Sequence, residues 1–299
     1  MNIFITGVTG YIGSAVAVRM IKAGHTVYGL VRHQEKIKAV QSLGIEPILG
    51  SLEDADILTK YAQVSDAVIH TADSNHQVAV ETLIKALEGS GKPFIHTSGS
   101  GVVSDNGLVE HESSYIYDEE TVFMPSDPQQ DRVFLNQHVR QAGITRGVRT
   151  IIIAPSLIYG DAFDLTYTSQ ILSILFDKSR QMNAGVYIGE GVSRWSNVHI
   201  EDLADLYLLA LNKAPSASYF YAENGENTFV ELAIAMSTSI GYPNHIQSWK
   251  LEDATQELGL MARFFFTSNS RVRAIHARHL LGWNPQGISM PAWIAQFVQ

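Results

Sequence analysis

The chain has 299 residues, 45% hydrophobic and 17% charged, enough for a sizeable core and without the bias of a disordered, collagen-like or coiled-coil sequence. A net charge of −9 supplies no basic face for a phosphate backbone, so nucleic acid is not an expected partner, although a local Arg or a helix N-terminus still suffices for a small anion. The absence of cysteine excludes disulfides, thiolate catalysis and zinc–thiolate centres.

Met1-Asn2-Ile3-Phe4-Ile5 runs straight into a strand pattern, without the basic start and apolar core of a signal peptide. No apolar run reaches transmembrane length, so the expectation is a cytoplasmic protein with no membrane partner. Ile3–Thr6 reads as a strand, and Tyr11–Ala23 as a helix closed by Gly24. The alternation continues with strand Thr26–Val31, helix Glu35–Leu43, strand Ile45–Leu49, helix Leu52–Tyr61 and strand Asp66–Thr71. Helix Gln77–Leu87, strand Phe94–Thr97, helix Asp127–Thr145 and strand Arg149–Ala154 complete it. This rhythm predicts an α/β fold: a doubly wound parallel sheet of the Rossmann type over 1–160, completed by about 194–213.

After Pro155 the rhythm breaks. Helices are expected at Thr168–Lys178, Glu201–Leu211, Phe229–Ile240, Leu251–Leu258, Arg271–Leu281 and Met290–Val298, and short strands at Val186–Ile188 and Tyr219–Ala222. Residues 161–193 and 214–299 therefore read as a smaller, mostly helical C-terminal cap that holds substrate.

The strongest motif is Thr6-Gly7-Val8-Thr9-Gly10-Tyr11-Ile12-Gly13, placed between the first strand and the first helix. Gly7 permits the tight turn, Gly10 lets main chain approach a diphosphate, and Gly13 lets the helix pack closely on the sheet. The helix N-terminus then offers free N–H groups and positive dipole to phosphate.

The spacing G-x-x-G-x-x-G resembles the extended short-chain dehydrogenase/reductase superfamily, the NAD-dependent epimerase/dehydratase group. The similarity continues in Asp66-Ala67-Val68-Ile69-His70-Thr71-Ala72 and Phe94-Ile95-His96-Thr97-Ser98-Gly99-Ser100. It extends through Ala154-Pro155-Ser156-Leu157-Ile158-Tyr159-Gly160, where Ala154 replaces the usual arginine, through Arg194–Ala204, and to Leu281-Gly282-Trp283-Asn284-Pro285. The resemblance implies a nicotinamide dinucleotide held by Gly7, Thr9, Gly10, Tyr11, Ile12, Gly13, Thr71, Ala72 and Pro155. It also implies a small-molecule substrate touching Arg194 and Tyr159, and, as extended members pair through helices, a homodimer. His199 is expected to be structural, and Asp202 to cap or face the dipole of the helix that follows.

In NAD-preferring members a carboxylate ends the second strand. Here the stretch is Tyr28-Gly29-Leu30-Val31-Arg32-His33. Nothing there repels a 2′-phosphate, and the planar fork of Arg32 can pair with one, so NADP(H) is favoured over NAD(H). Ser51-Leu52 replaces the family's Asp-Leu beside the adenine.

Active members also carry Tyr-x-x-x-Lys, whose i, i+4 spacing lets the ammonium lower the phenol pKa. None of the twelve tyrosines here has Lys four residues later, and Asp131–Arg140 contains neither residue type. This resembles an atypical branch that keeps the fold without the pair. Ser98 and Ser100 are the candidates for contacting a substrate carbonyl, and Tyr115, in the irregular acidic segment Glu110–Glu120, is the candidate acid, with Tyr117, Tyr159 and His96 as alternatives. Arg132 stands nearest the lost tyrosine, either holding ribose or phosphate or facing solvent. The functional expectation is an NADP(H)-dependent oxidoreductase acting on a carbonyl or alcohol, a nucleotide-sugar among the candidates. The alternative is a non-catalytic NADP(H)-binding or redox-sensing protein. No H-E-x-x-H is present, and His276 and His279, which share a helix face, have no nearby carboxylate in the sequence to complete a metal set.

Overall fold

The computed structural model describes residues 1–107, 110–161 and 169–296. In chain order the first half comprises β1 (Asn2–Thr6), α1 (Tyr11–Lys22), β2 (Thr26–Val31), α2 (Ile37–Ser42), β3 (Glu46–Leu49), α3 (Ala55–Val64), β4 (Ala67–His70), α4 (Gln77–Leu87), β5 (Pro93–Thr97), α5 (Gln130–Thr145) and β6 (Arg149–Pro155). The second half comprises β7 (Leu157–Tyr159), α6 (Gln170–Met182), β8 (Gly185–Ile188), β9 (Arg194–His199), α7 (Ile200–Lys213), β10 (Ser218–Ala222), β11 (Glu226–Thr228), α8 (Phe229–Ser239), β12 (Ile246–Trp249), α9 (Leu251–Leu258), α10 (Leu260–Phe264), α11 (Ile275–Leu281) and α12 (Met290–Ile294).

Seven strands form one sheet in the order β10-β6-β5-β4-β1-β2-β3, every neighbouring pair parallel. The strands are apolar on both faces because helices cover both. Ile3, Ile5, Ile69, Ile95, Ile151 and Ile153 point into the layer under α1 and α7. Their alternates Phe4, Val68, Phe94 and Ile152 point into the layer under α3, α4 and α5. The chain reverses its winding between β1 and β4, so their carboxyl ends open a crevice there. A separate core around Phe229, Met236, Phe266 and Trp293 holds the C-terminal cap, with β12 paired to β8.

Several boundaries differ from expectation for local reasons. Asp54 accepts hydrogen bonds from the Ser51 amide (2.6 Å) and hydroxyl (2.9 Å), and this turn delays α3 to Ala55. The helix expected over Glu35–Leu43 splits into one 3₁₀ turn, Gln34–Lys36, and α2. α11 starts at Ile275 and not at Arg271, because Ser270 and Val272 bridge to Trp195 and Tyr117 in extended form. The ends of two expected helices, at Thr168 and at 297–298, lie outside the described residues. The largest correction concerns Tyr219–Ala222, expected in the cap. It belongs to β10, the edge strand of the main sheet, in register with Ile152–Pro155. Among the described residues no helix is long and apolar enough to cross a membrane.

Candidate functional site

The glycine turn sits at the mouth of the crevice, and its glycines are required by contact. Gly7 has φ +81°, and a Cβ there would lie 2.8 Å from the Ala72 backbone. A Cβ on Gly13 would overlap the Gly7 carbonyl oxygen and lie 2.6 Å from Thr71 Oγ1. Thr71 is itself anchored, its hydroxyl donating to the Thr6 carbonyl at 2.7 Å. Gly10 precedes α1 in an extended conformation and supplies no side-chain cap, and no acidic residue occupies the first turn. The first-turn amides and the dipole of α1 therefore face the crevice without a protein counter-charge, which suits an anionic diphosphate. This arrangement fits the dinucleotide that the turn implies.

Two chambers meet at this turn, sharing Gly10, Thr71 and Ala72. The outer chamber, of about 430 Å³, is lined by Gly7, Thr9, Arg32, His33, Ser51, Leu52 and Glu53 among others. Arg32 Nε donates to His33 Nε2 at 2.9 Å. Glu53 pairs with His76 at 2.8 Å, so its charge is already engaged. The inner chamber, of about 680 Å³, is walled by Tyr11 and Ile12, by Ser98, Ser100 and Pro155 at the strand ends, and by Arg132 from α5. The far wall is apolar: Trp195 from β9 with Met261, Phe264 and Phe265 from the cap. The aromatic run Phe264-Phe265-Phe266 thus divides, with Phe266 in the cap core and its two neighbours on the chamber.

Ser98 accepts a hydrogen bond from the Asn136 side-chain amide at 2.9 Å. The Ser100 hydroxyl lies 3.0 Å from that of Ser270, which also donates to the Ser100 carbonyl at 2.8 Å. Both candidate serines are thereby oriented at the chamber floor. Arg132 is half-buried, and its Nε donates to Asn75 Oδ1 at 2.9 Å. A Cβ on Gly99 would lie 3.7 Å from Arg132 Nη1, so the guanidinium stands over the turn that follows β5. Burial lowers its pKa from the ordinary value, opposed by the field of Asp73, but a guanidinium stays charged at any physiological pH.

Three candidates are not brought to the chamber. Tyr115 is 57% exposed and packs its ring on Tyr117, 4.7 Å between centroids, outside the chamber wall. Tyr159 is fully buried in the cap core, its hydroxyl donating to the Ile288 carbonyl at 2.6 Å. Arg194 pairs with Glu112 at 3.2 Å and Glu231 at 3.6 Å, because the acidic segment lies against β9 and α8. His96 lies on β5 beneath α5, fully buried, with neither ring nitrogen hydrogen-bonded. His199 caps α7 by accepting from the Glu201 amide at 3.3 Å. Asp202, expected to serve its own helix, accepts from the Gln286 and Gly287 amides at 2.8 and 2.9 Å and ties down the C-terminal segment. Asn136 and Trp195 were not singled out from sequence, and the run Phe264-Phe265-Phe266 was expected as cap core, which holds for Phe266. Asn136 is one polar residue on an amphipathic helix, and Trp195 and Phe265 are brought together only by the cap. Among the described residues no cluster suited to a metal is found.

A doubly wound sheet with a crevice at its reversal point and a glycine turn in that crevice defines a nucleotide-binding protein of the Rossmann class. The model of the NAD dependent epimerase/dehydratase family matches residues 3–220, and the chain belongs to that family. It is 32% identical over 298 residues to an uncharacterised protein of Schizosaccharomyces pombe, covering 95% of each. It is 27% identical to the 4-hydroxy-2-methyl-3-oxo-4-farnesyl-3,4-dihydroquinoline-1-oxide ketoreductase of Stigmatella aurantiaca, over 75% of this chain and 69% of that one. Among solved structures it resembles the UDP-glucose 4-epimerase of Thermotoga maritima bound to UDP-glucose, with TM-score 0.80 at 18% identity, covering 100% and 97%. The dTDP-glucose 4,6-dehydratase of Bacillus anthracis, solved with NAD, gives TM-score 0.80 at 15% identity, covering 100% and 95%. Homologues in this family are oxidoreductases that bind a nicotinamide dinucleotide and act on small molecules.

Proposed function

We propose that the protein is an NADP(H)-dependent oxidoreductase that moves hydride between the nicotinamide and a carbonyl or alcohol carbon of a small molecule held under the cap. The observation that carries this reading is the pair of chambers joined at Gly10, Thr71 and Ala72. A dinucleotide laid across that junction has its adenosine half beside Arg32 and its nicotinamide half beside Pro155 and Arg132. The first-turn amides of α1 hold the diphosphate, and Arg32 meets the 2′-phosphate. Ser98 and Ser100 orient the substrate oxygen, and the cap excludes water. When bound, the nicotinamide supplies or accepts the hydride. The main sheet, β10 included and with α11 packed on it, forms the cofactor domain in this reading, and residues 169–193 with 226–266 and 290–294 form the substrate cap.

Calorimetric titration of NADPH, NADP⁺, NADH and NAD⁺ tests the cofactor. A charge-assisted pair with the 2′-phosphate is worth about 1.5–3 kcal/mol, on the order of tenfold to a hundredfold in affinity. The phosphorylated forms are expected to bind tighter by that factor, and Arg32→Ala to abolish the difference. Equal affinities in the unmutated protein would overturn the preference. The absence of a free acid on the described chamber wall supports a second reading, a non-catalytic NADP(H) binder. Tight NADPH binding without absorbance loss across aldehydes, ketones and quinones would select it.

A further inference from the structure

We infer that the substrate of the inner chamber is a planar conjugated carbonyl of the quinone class, with Arg132 stabilising its reduced anion where other members use an acid. The inference rests on the NADP(H) reading above and names the substrate class for that same site.

The first support is the shape and chemistry of the far wall. The rings of Trp195 and Phe265 stack on each other at 4.1 Å between centroids and 27° between planes, so Trp195 is nearly covered and the half-buried Phe265 supplies most of the aromatic carbon at the chamber. Trp195 Nε1 already donates to the Ser268 carbonyl at 2.7 Å, so the indole presents no donor to the chamber. Phe264, Met261, Ile158 and Ile171 extend the apolar lining. A flat ring gains both burial and offset stacking there. A diphosphate laid on this wall would lose its hydration against carbon with no cation on the wall itself to replace it, since Arg194 is held outside by Glu112 and Glu231 and Arg132 stands on the α5 side.

The second support is the inventory of charge. Among the described lining residues, Tyr11 and Arg132 are the only ionisable side chains. The Tyr11 hydroxyl donates to the Gly160 carbonyl at 2.7 Å, and burial together with Asp161 raises its pKa, so its proton is held. Arg132 cannot serve as an acid, but as a fixed cation it lowers the energy of an anion formed beside it. Among the described residues no ion pair engages it, and Asn75 holds only its Nε, leaving the Nη groups to the chamber.

The chemistry then selects the acceptor. Hydride addition to a saturated ketone leaves an alkoxide about as basic as hydroxide, which needs a proton in the same step. Hydride addition to a quinone leaves a hydroquinone monoanion, a phenolate of pKa about 10 that a guanidinium can hold. The balance is closed: the quinone takes one hydrogen and two electrons from the reduced nicotinamide, which leaves oxidised. The monoanion takes its second proton from solvent on release.

The test uses the full chain and three probes: 2-methyl-1,4-naphthoquinone and cyclohexanone with NADPH as the hydride donor, and UDP-glucose with NADP⁺ as the hydride acceptor. The quinone should exceed cyclohexanone by about a hundredfold in kcat/KM, UDP-glucose should be unchanged, and kcat should be flat between about pH 6 and 9. Arg132→Ala should lower kcat at saturating NADPH by about a hundredfold, a loss that no change in NADPH affinity can produce. A loss confined to NADPH affinity would overturn the role given to Arg132. A second readout needs no turnover: naphthoquinone should quench tryptophan fluorescence of the NADP⁺-loaded protein, and Trp195→Leu should remove most of the quenching. If Trp195→Leu does not fold, Phe264→Ala should raise the quinone dissociation constant about tenfold by the same measurement. Processing of cyclohexanone or UDP-glucose at the quinone's rate, or NADPH binding with neither quenching nor quinone turnover, overturns this inference alone. Failure to bind NADPH overturns it together with the cofactor reading.

Discussion

His70 ends β4 immediately before Thr71 and Ala72, so its protonation bears on both stability and the cofactor wall. It is fully buried, bonded to Thr6 Oγ1 at 2.8 Å and to the Asp73 carbonyl at 3.0 Å, and stacked on His96 at 5.6 Å. Burial lowers its pKa to about 4, opposed by the Asp73 carbonyl and carboxylate. In the unfolded chain it returns to about 6.5, so between these values the unfolded state binds the extra proton. Stability from this group is complete above about pH 6.5 and is lost as pH falls toward 4, because folding must then expel that proton. Linkage makes the loss about 2 kcal/mol between about pH 7.5 and 5, rising to about 3 kcal/mol below pH 4. His96, held well below the ordinary value by burial, then by His70 and Arg132, adds a loss of the same sign. Urea unfolding at about pH 5 and 7.5 for the unmutated protein and His70→Gln measures this, since carboxylate effects cancel in the difference. His70→Gln should flatten the pH dependence by about 2 kcal/mol. Parallel pH profiles for the two proteins would refute the reasoning.

His96→Leu should raise the melting temperature at neutral pH, since two buried nitrogens without partners are removed, each costing about 1–3 kcal/mol. Gly13→Ala should abolish the stabilisation of the melting transition by NADPH and cost about 1–3 kcal/mol, because the added methyl meets the Gly7 carbonyl and Thr71. Tyr207→Phe should destabilise by about 1 kcal/mol, read by urea titration, since it strands the buried Thr97 hydroxyl now 2.6 Å from the phenol. Asp202→Ala should loosen the C-terminal segment, seen as faster amide exchange at Gln286 and Gly287, whose bonds to the carboxylate it removes.

The cofactor end of the molecule was legible in the sequence because its determinants are local. Gly7, Gly10 and Gly13 lie within one turn, and the conformations they permit are encoded where they stand. The parallel strands were legible for a related reason. A strand covered on both faces carries a near-continuous apolar run, as in Ile151–Pro155, and that run shows without knowledge of its neighbours. The strand Ser218–Ala222 was recognisable as a strand but not as a member of the main sheet. Its partner is β6, more than sixty residues earlier, and pairing leaves no mark on composition.

By itself the sequence determined the fold class, the glycine cradle, the absence of the tyrosine–lysine pair and the cation beside the second strand. Tertiary structure alone decided what lines the inner chamber. It placed Trp195 and Phe265 face to face, turned Arg132 into the chamber, tied Arg194 to carboxylates outside it, and left Tyr115 and Tyr159 away from it. The physical reason is that backbone conformation is set by a residue and its near neighbours. Charge pairing and burial depend on which distant side chains folding brings within a few ångströms.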